Sequence, residues 1–200
     1  MMRLRRLLYV ALFAIPSFAG AADYRYCTTC HGATGNGNAA IQAPSLAGIE
    51  PWYLAAQLAA YRSHDRGRDW SADAPGTEMR TVAREIAPEQ IADITREVAS
   101  FRREPQAPLV AGDARSGRKQ YATYCAACHG ARGEGNASLQ APALARLNDW
   151  YLVSSFGKYR AGTRGADAAH PAAVSMRAAV SALPAQVRIE DIARYLRSLP

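Results

Sequence analysis

Residues 26–33 read Tyr26-Cys27-Thr28-Thr29-Cys30-His31-Gly32-Ala33, and the pattern returns at 124–131 as Tyr124-Cys125-Ala126-Ala127-Cys128-His129-Gly130-Ala131. The 98-residue offset then continues without a gap. Gln42-Ala43-Pro44 answers Gln140-Ala141-Pro142, Trp52-Tyr53-Leu54 answers Trp150-Tyr151-Leu152, and Tyr61-Arg62 answers Tyr159-Arg160. Between 27–62 and 125–160, 19 of 36 positions are identical, far beyond chance in one ungapped register, so the chain holds two copies of one unit.

Cys-x-x-Cys-His is the attachment sequence of c-type haem. Two thiols three residues apart, Cys27 with Cys30 and Cys125 with Cys128, can add to the two haem vinyl groups. His31 or His129 then offers an imidazole nitrogen to the iron. A zinc ribbon would need its second cysteine pair within about 20 residues, whereas 94 residues separate Cys30 from Cys125. A thioredoxin-like pair expects a βαβ setting, and a structural disulfide does not explain the following histidine in both copies. The motifs therefore predict two covalently bound haem c groups.

Beyond Met1 and Met2 the only methionines are Met79 and Met176, 48 residues after His31 and 47 after His129. Each stands between the loop and the last helix of its unit. A methionine is ordinarily a core filler, but one at nearly the same place in each copy points to a sixth iron ligand. The rival histidines, His64 and His170, have no counterparts in the other copy. A thioether favours ferrous iron, and an iron closed by His and Met has no position for substrate.

The periodicity is helical. Leu54, Leu58 and Tyr61 share a face after Pro51, and Ile91, Ile94, Val98 and Phe101 repeat at helical spacing, as do Ile189, Ile192, Leu196 and Leu199. No convincing alternation of β-branched residues appears, and the predicted class is all-α. Pro105 and Pro108 stiffen a connector at 104–111. It divides a first unit at 23–103 from a second at 112–200. Units this small need a staple, metal or cofactor to hold a core.

Arg3, Arg5 and Arg6 precede an apolar run from Leu7 to Phe18, and Ala19-Gly20-Ala21 follows as a small-x-small site. Residues 1–22 thus read as a cleaved export signal. Export predicts a periplasmic protein. The net charge of +7 falls to +4 without those three arginines. The remaining basic residues are scattered, and no nucleic-acid footprint is indicated.

These residues resemble the class I cytochrome c fold, and the tandem arrangement resembles the dihaem cytochrome c4 family, over nearly the whole mature chain. The resemblance rests on both haem motifs, the Pro-x-Leu segments at Pro44 and Pro142, and the two methionines before the closing helices. It implies that the Pro44 and Pro142 carbonyls fix the His31 and His129 rings. It also implies that Trp52, Tyr53 and Arg62, with Trp150, Tyr151 and Arg160, line the haem edge or hold propionates, although aromatics on such a helix serve equally as core. The second unit opens with a full first helix leading into Cys125. The first has only about five residues between cleavage and Cys27, so a truncated helix and a more exposed haem are expected there. The implied function is single-electron shuttling between a respiratory donor, such as a dehydrogenase or cytochrome complex, and a terminal oxidase or reductase. The protein would be a carrier and not an enzyme, transiently associated with membrane complexes. The alternatives are a peroxidase-like enzyme with one open iron and a fixed subunit of a dehydrogenase or oxidase.

Overall fold

A computed structural model describes residues 24–199. The expected export signal, and the segment that would show a truncated first helix, lie outside the described residues. Within them the chain is helical, and its strand-like pairing is confined to two isolated bridges, Asn38 with Ala43 and Asn136 with Ala141. No helix among the described residues is long and apolar enough to cross a membrane. The first unit contains α1 (Arg25–His31), α2 (Pro51–Arg62), α3 (Trp70–Glu85) and α4 (Ile91–Ser100). The second contains α5 (Ala114–Tyr124), α6 (Ala126–His129), α7 (Asp149–Arg160), α8 (Pro171–Ser181) and α9 (Ile189–Arg197).

The repeated residues build repeated local structure. Pro51 opens α2, and the face buried below it carries Leu54, Leu58 and Tyr61, as the spacing predicts. Helix α4 buries Ile94 and Val98, and α9 buries Ile192 and Leu196. Each such side chain removed from water contributes roughly 1.5–3 kcal/mol. The segments carrying Met79 and Met176 are themselves helical, α3 and α8. Pro171 starts α8 cleanly. Helix α3 is kinked at Asp73, where φ is −154° and ψ 65°, two residues before Pro75. A proline inside a helix has no N–H to donate and crowds the preceding turn.

Helix α5 enters with the Asp113 carboxylate accepting from the Arg115 N–H at 2.8 Å. It lies directly on α9. At the crossing, a Cβ on Gly117 would sit 1.9 Å from the Asp191 carbonyl oxygen, so only glycine permits this approach. Tyr121 is buried in the same contact and donates its hydroxyl to the Gly130 carbonyl at 2.7 Å, tying the helix to the loop after His129.

The two units meet as two copies related by an approximate two-fold axis. The Ser45 N–H donates to Asn148 Oδ1 at 2.7 Å, and at equivalent repeat positions the Ala143 N–H donates to Glu50 Oε1 at 3.1 Å. Arg66 Nη2 reaches the Tyr151 hydroxyl at 3.2 Å, and Arg164 Nη2 reaches the Tyr53 hydroxyl at 3.1 Å. Such reciprocal pairing is what a two-fold interface requires. Some contacts break the symmetry, one of them an ion pair. Lys158 Nζ lies 2.6 Å from Asp73 Oδ1 at the α3 kink, and the position equivalent to Lys158 in the first unit is Ala60. The connector is also pinned. Asn36 Oδ1 accepts from the Glu104 N–H, and Asp149 Oδ2 accepts from the N–H groups of Leu109 and Val110.

Candidate haem-binding sites

His31 is the last residue of α1, and Gly32, at φ +84°, turns the chain back beneath it. His129 ends α6 in the same manner. Both rings are 7 % exposed. His31 Nδ1 lies 2.6 Å from the Pro44 carbonyl oxygen and His129 Nδ1 lies 2.9 Å from that of Pro142. A carbonyl can only accept, so each Nδ1 carries the proton and each Nε2 keeps a free lone pair. Burial pushes both imidazoles below their ordinary pKa, against the opposing pull of the proline carbonyl. The neutral ring that results is the form able to coordinate a metal.

Of the four cysteines, Cys27 and Cys125 are half-buried and Cys30 and Cys128 are exposed. Burial, and then the neighbouring Cys128, push the Cys125 thiol up to about 11. In the first unit Cys27, Cys30, His31 and Met79 line one largely apolar cavity. Met79 packs with Leu58, Tyr61 and Ala83 at its edge. Met176 packs with Phe156, Tyr159 and Val180, and Phe156 and Tyr159 occupy the repeat positions of Leu58 and Tyr61. The two methionines thus have equivalent surroundings, each set in a hydrophobic cluster beneath α2 or α7.

The other expected surroundings separate into two groups. Trp52 packs edge-on to Tyr53, and Trp150 to Tyr151, with centroids 5.8 and 6.0 Å apart. Trp150 and Tyr151 also line the first unit's cavity from across the interface. The two arginines of the Tyr-Arg pairs make contacts within their own units. Arg62 Nη1 donates to the carbonyls of Ala83 at 2.8 Å and Ile86 at 2.6 Å, because the end of a helix leaves acceptors unsatisfied. The Arg160 guanidinium lies over the Phe156 ring at 4.8 Å. Of the rival histidines, His64 is exposed, and His170 Nε2 meets Ser63 Oγ at 2.7 Å on the interface rim.

Arg66 and Arg164, not singled out in the sequence, occupy the buried centre of the interface, 4 % and 3 % exposed. Each lies over a tyrosine ring of its own unit, Arg66 on Tyr61 at 4.2 Å and Arg164 on Tyr159 at 4.5 Å. Both donate to Gln57 Oε1, and Arg164 also to Ser155 Oγ. Among the described residues neither guanidinium has a carboxylate partner. Burial would raise the Tyr151 hydroxyl, but Arg66 and Arg164 together draw it down to about 7. Two buried cations with a tyrosine pulled toward ionisation form a centre short of negative charge. That shortage fits a cofactor bringing its own carboxylates, as haem does with its propionates. Arg66-Gly67 and Arg164-Gly165 stand at the same 98-residue offset, which is the signal that marks them in the sequence.

The cytochrome c family profile matches residues 19–96 and 114–200. The chain is 32 % identical over 145 residues to the thiosulfate dehydrogenase electron acceptor of Stutzerimonas stutzeri (strain A1501), covering 70 % of this chain and 66 % of that protein. Its fold is similar to cytochrome c4 of Acidithiobacillus ferrooxidans, with a TM-score of 0.67, 26 % identity, and 86 % and 98 % of the two chains covered. It is also similar to thiosulfate dehydrogenase from Marichromatium purpuratum in its as-isolated form, with a TM-score of 0.68 and 28 % identity. That match covers 87 % of this chain and only 36 % of the other. A cytochrome c domain carries covalently attached haem c, and here each of two domains has its own attachment motif. The chain therefore belongs to the cytochrome c family, as a tandem, dihaem electron-transfer protein like cytochrome c4.

Proposed function

We propose that this protein is an exported, periplasmic electron carrier with two closed irons, one bound by His31 and Met79 and the other by His129 and Met176. The observation that carries the reading is the meeting of Cys27, Cys30, His31 and Met79 around one apolar cavity, with Met176 in the equivalent cluster of the second unit. The thiols of Cys27, Cys30, Cys125 and Cys128 anchor the two haem groups covalently. Haem supplies a one-electron iron couple. The chain's own residues do the rest. The proline carbonyls hold each imidazole in the tautomer that presents Nε2. The thioethers fill the remaining position and favour the reduced metal. Tyr53, Tyr151, Trp52 and Trp150 exclude water around the shared interface, and Arg66 and Arg164 hold the propionates there. Arg62 and Arg160 support the surrounding helices.

A carrier needs a donor and an acceptor. The similarity to an electron acceptor of thiosulfate dehydrogenase supports a periplasmic dehydrogenase as donor, with a terminal oxidase or reductase downstream. The reading at residues 3–22 supports export, which N-terminal sequencing of the mature protein checks. The central test is the absorption spectrum of holo-protein, oxidised and reduced, with and without carbon monoxide. Two haems per chain, a sulfur-to-iron band in the far red and no carbon monoxide shift are the expected result. A shift at either haem would mean an open iron and would favour a peroxidase-like enzyme instead.

A further inference from the structure

Each methionine-bearing helix begins at a residue held by the opposite unit. Asp73 lies six residues before Met79, and His170 lies six before Met176. Their backbones share one shape, with ψ 65° at Asp73 and 70° at His170. The neighbouring glycines confirm the match. A Cβ on Gly67 would lie 2.2 Å from the Gly76 carbonyl oxygen, and one on Gly165 would lie 2.3 Å from that of Ala173. Asp73 and His170 therefore occupy the same place at the head of their helices, but they are tied across the interface by different chemistry. Lys158 Nζ donates to Asp73 Oδ1 at 2.6 Å, and the two side chains are only 19 % and 9 % exposed. His170 Nε2 instead meets Ser63 Oγ in an exposed contact without an ion pair. Neither partner is repeated, since the positions equivalent to Lys158 and Ser63 are Ala60 and Ala161.

The first tie also reaches further into its helix. Asp73 Oδ1 accepts from the Gly76 N–H at 3.0 Å, and the Asp73 carbonyl accepts from the Thr77 hydroxyl at 3.1 Å. A Cβ on Gly76 would stand 2.1 Å from the Asp73 carboxylate, so the carboxylate lies flat on the new turn. It is the N-cap of the segment that carries Met79, whereas the His170 side chain makes no cap bond. Met79 follows about 9 Å further along the axis, and Gly76, Met79 and Lys158 line the same cavity.

We propose that Lys158 of the second unit is a positioning residue for Met79 of the first, so that one iron's ligand is held in place by the other unit. The inference rests on the reading of Met79 as an iron ligand. The charge-assisted bond fixes the carboxylate over the first turn. Without the ammonium, Asp73 is a buried carboxylate short of its counter-charge. Turning toward water, it releases the Gly76 N–H, and the turn leading to Met79 loosens. A thioether held less firmly favours ferrous iron less. The first haem then becomes easier to oxidise and opens to added ligands. The second haem is unaffected, because its methionine helix does not depend on a side-chain cap held by an ion pair.

The test is titration of ferric holo-protein with imidazole, which displaces an axial methionine and bleaches its far-red sulfur band. In K158M, half of the band should bleach at an imidazole concentration at least tenfold lower than in wild type, and the other half should behave as wild type. Proton NMR assigns the haem, because each iron-bound methionine gives its own hyperfine-shifted methyl signal and M79A identifies the one from the first unit. That signal should be the one lost early, and K158R should restore it. K158Q, a milder change, should affect the same signal at least threefold and carries the test if K158M fails to incorporate haem. Wild-type imidazole affinity at the first haem in the haem-loaded variant overturns the proposal and leaves the carrier reading intact. Equal loosening of both haems also overturns it, since Lys158 would then act on the interface as a whole. Absence of the far-red band from the wild-type protein would overturn the reading of methionine ligation itself.

Discussion

Arg66 and Arg164 show how much a single side chain contributes when it is buried. Two guanidiniums share one buried interface, and their nearest polar neighbours are tyrosine, glutamine and serine groups, none of them a carboxylate. In holo-protein, R66M should destabilise by about 3–5 kcal/mol, because it strips the counter-charge from a buried propionate. Guanidinium unfolding followed by Soret absorbance measures this. Were no anion present at the centre, the same substitution would relieve like-charge repulsion and leave the protein as stable or more so. The sign of the change is therefore the diagnostic. At the iron, M79A should remove about half of the far-red sulfur band and create carbon monoxide binding at one haem only, with Met176 still closing the other. Retention of the full band would show that Met79 is a core residue and not a ligand.

Elements decide how firmly these side chains are held. Helix α5 packs on α9 through Gly117, where the Asp191 carbonyl leaves no space for a Cβ. G117A forces the two helices apart and should cost about 1–3 kcal/mol, the usual penalty for overpacking a tight contact. Thermal unfolding followed by far-ultraviolet circular dichroism reads this as a drop in Tm. An unchanged Tm would mean that the crossing yields freely. Helices α3 and α8 offer the complementary lesson. Each carries the candidate methionine ligand, yet α3 needs a kink at Asp73 to begin, and that kink is held by Lys158 from the other unit. The position of Met79 in one unit is thus coupled to a side chain of the other.

At the scale of the molecule, the interface is built from equivalent residues used twice, so its halves should act together. The Glu50 and Asn148 side chains close reciprocal bonds to the backbone of the opposite unit. E50A/N148A leaves the N–H donors of buried Ser45 and buried Ala143 without these partners, and each such loss costs about 1–3 kcal/mol. The two units should then unfold in separate calorimetric transitions, where the wild type shows one. A single transition in the variant would show that the remaining contacts, the Arg66–Arg164 centre and the Lys158–Asp73 pair among them, suffice to hold the units together.

The sequence by itself determined the two-unit organisation, the all-α class, the haem motifs and the faces of α2, α4 and α9. All of these are local or periodic: a pentapeptide, a 98-residue offset and a 3.6-residue repeat can be read without knowing what touches what. The pairing of His31 with Pro44 was legible through family resemblance, since it spans only 13 residues within one loop. The helices around Met79 and Met176 were less clear, because Pro75 and a weakly patterned run of alanines obscure their period. Only the tertiary structure decided the roles of the arginines. In sequence, Arg62 and Arg66 are two basic residues four apart. In the fold, one turns back to cap α3 and the other enters the interface toward Tyr151, 85 residues away. Burial, and the lack of a counter-charge that comes with it, depends on the packing of one unit against the other, and no local pattern encodes it.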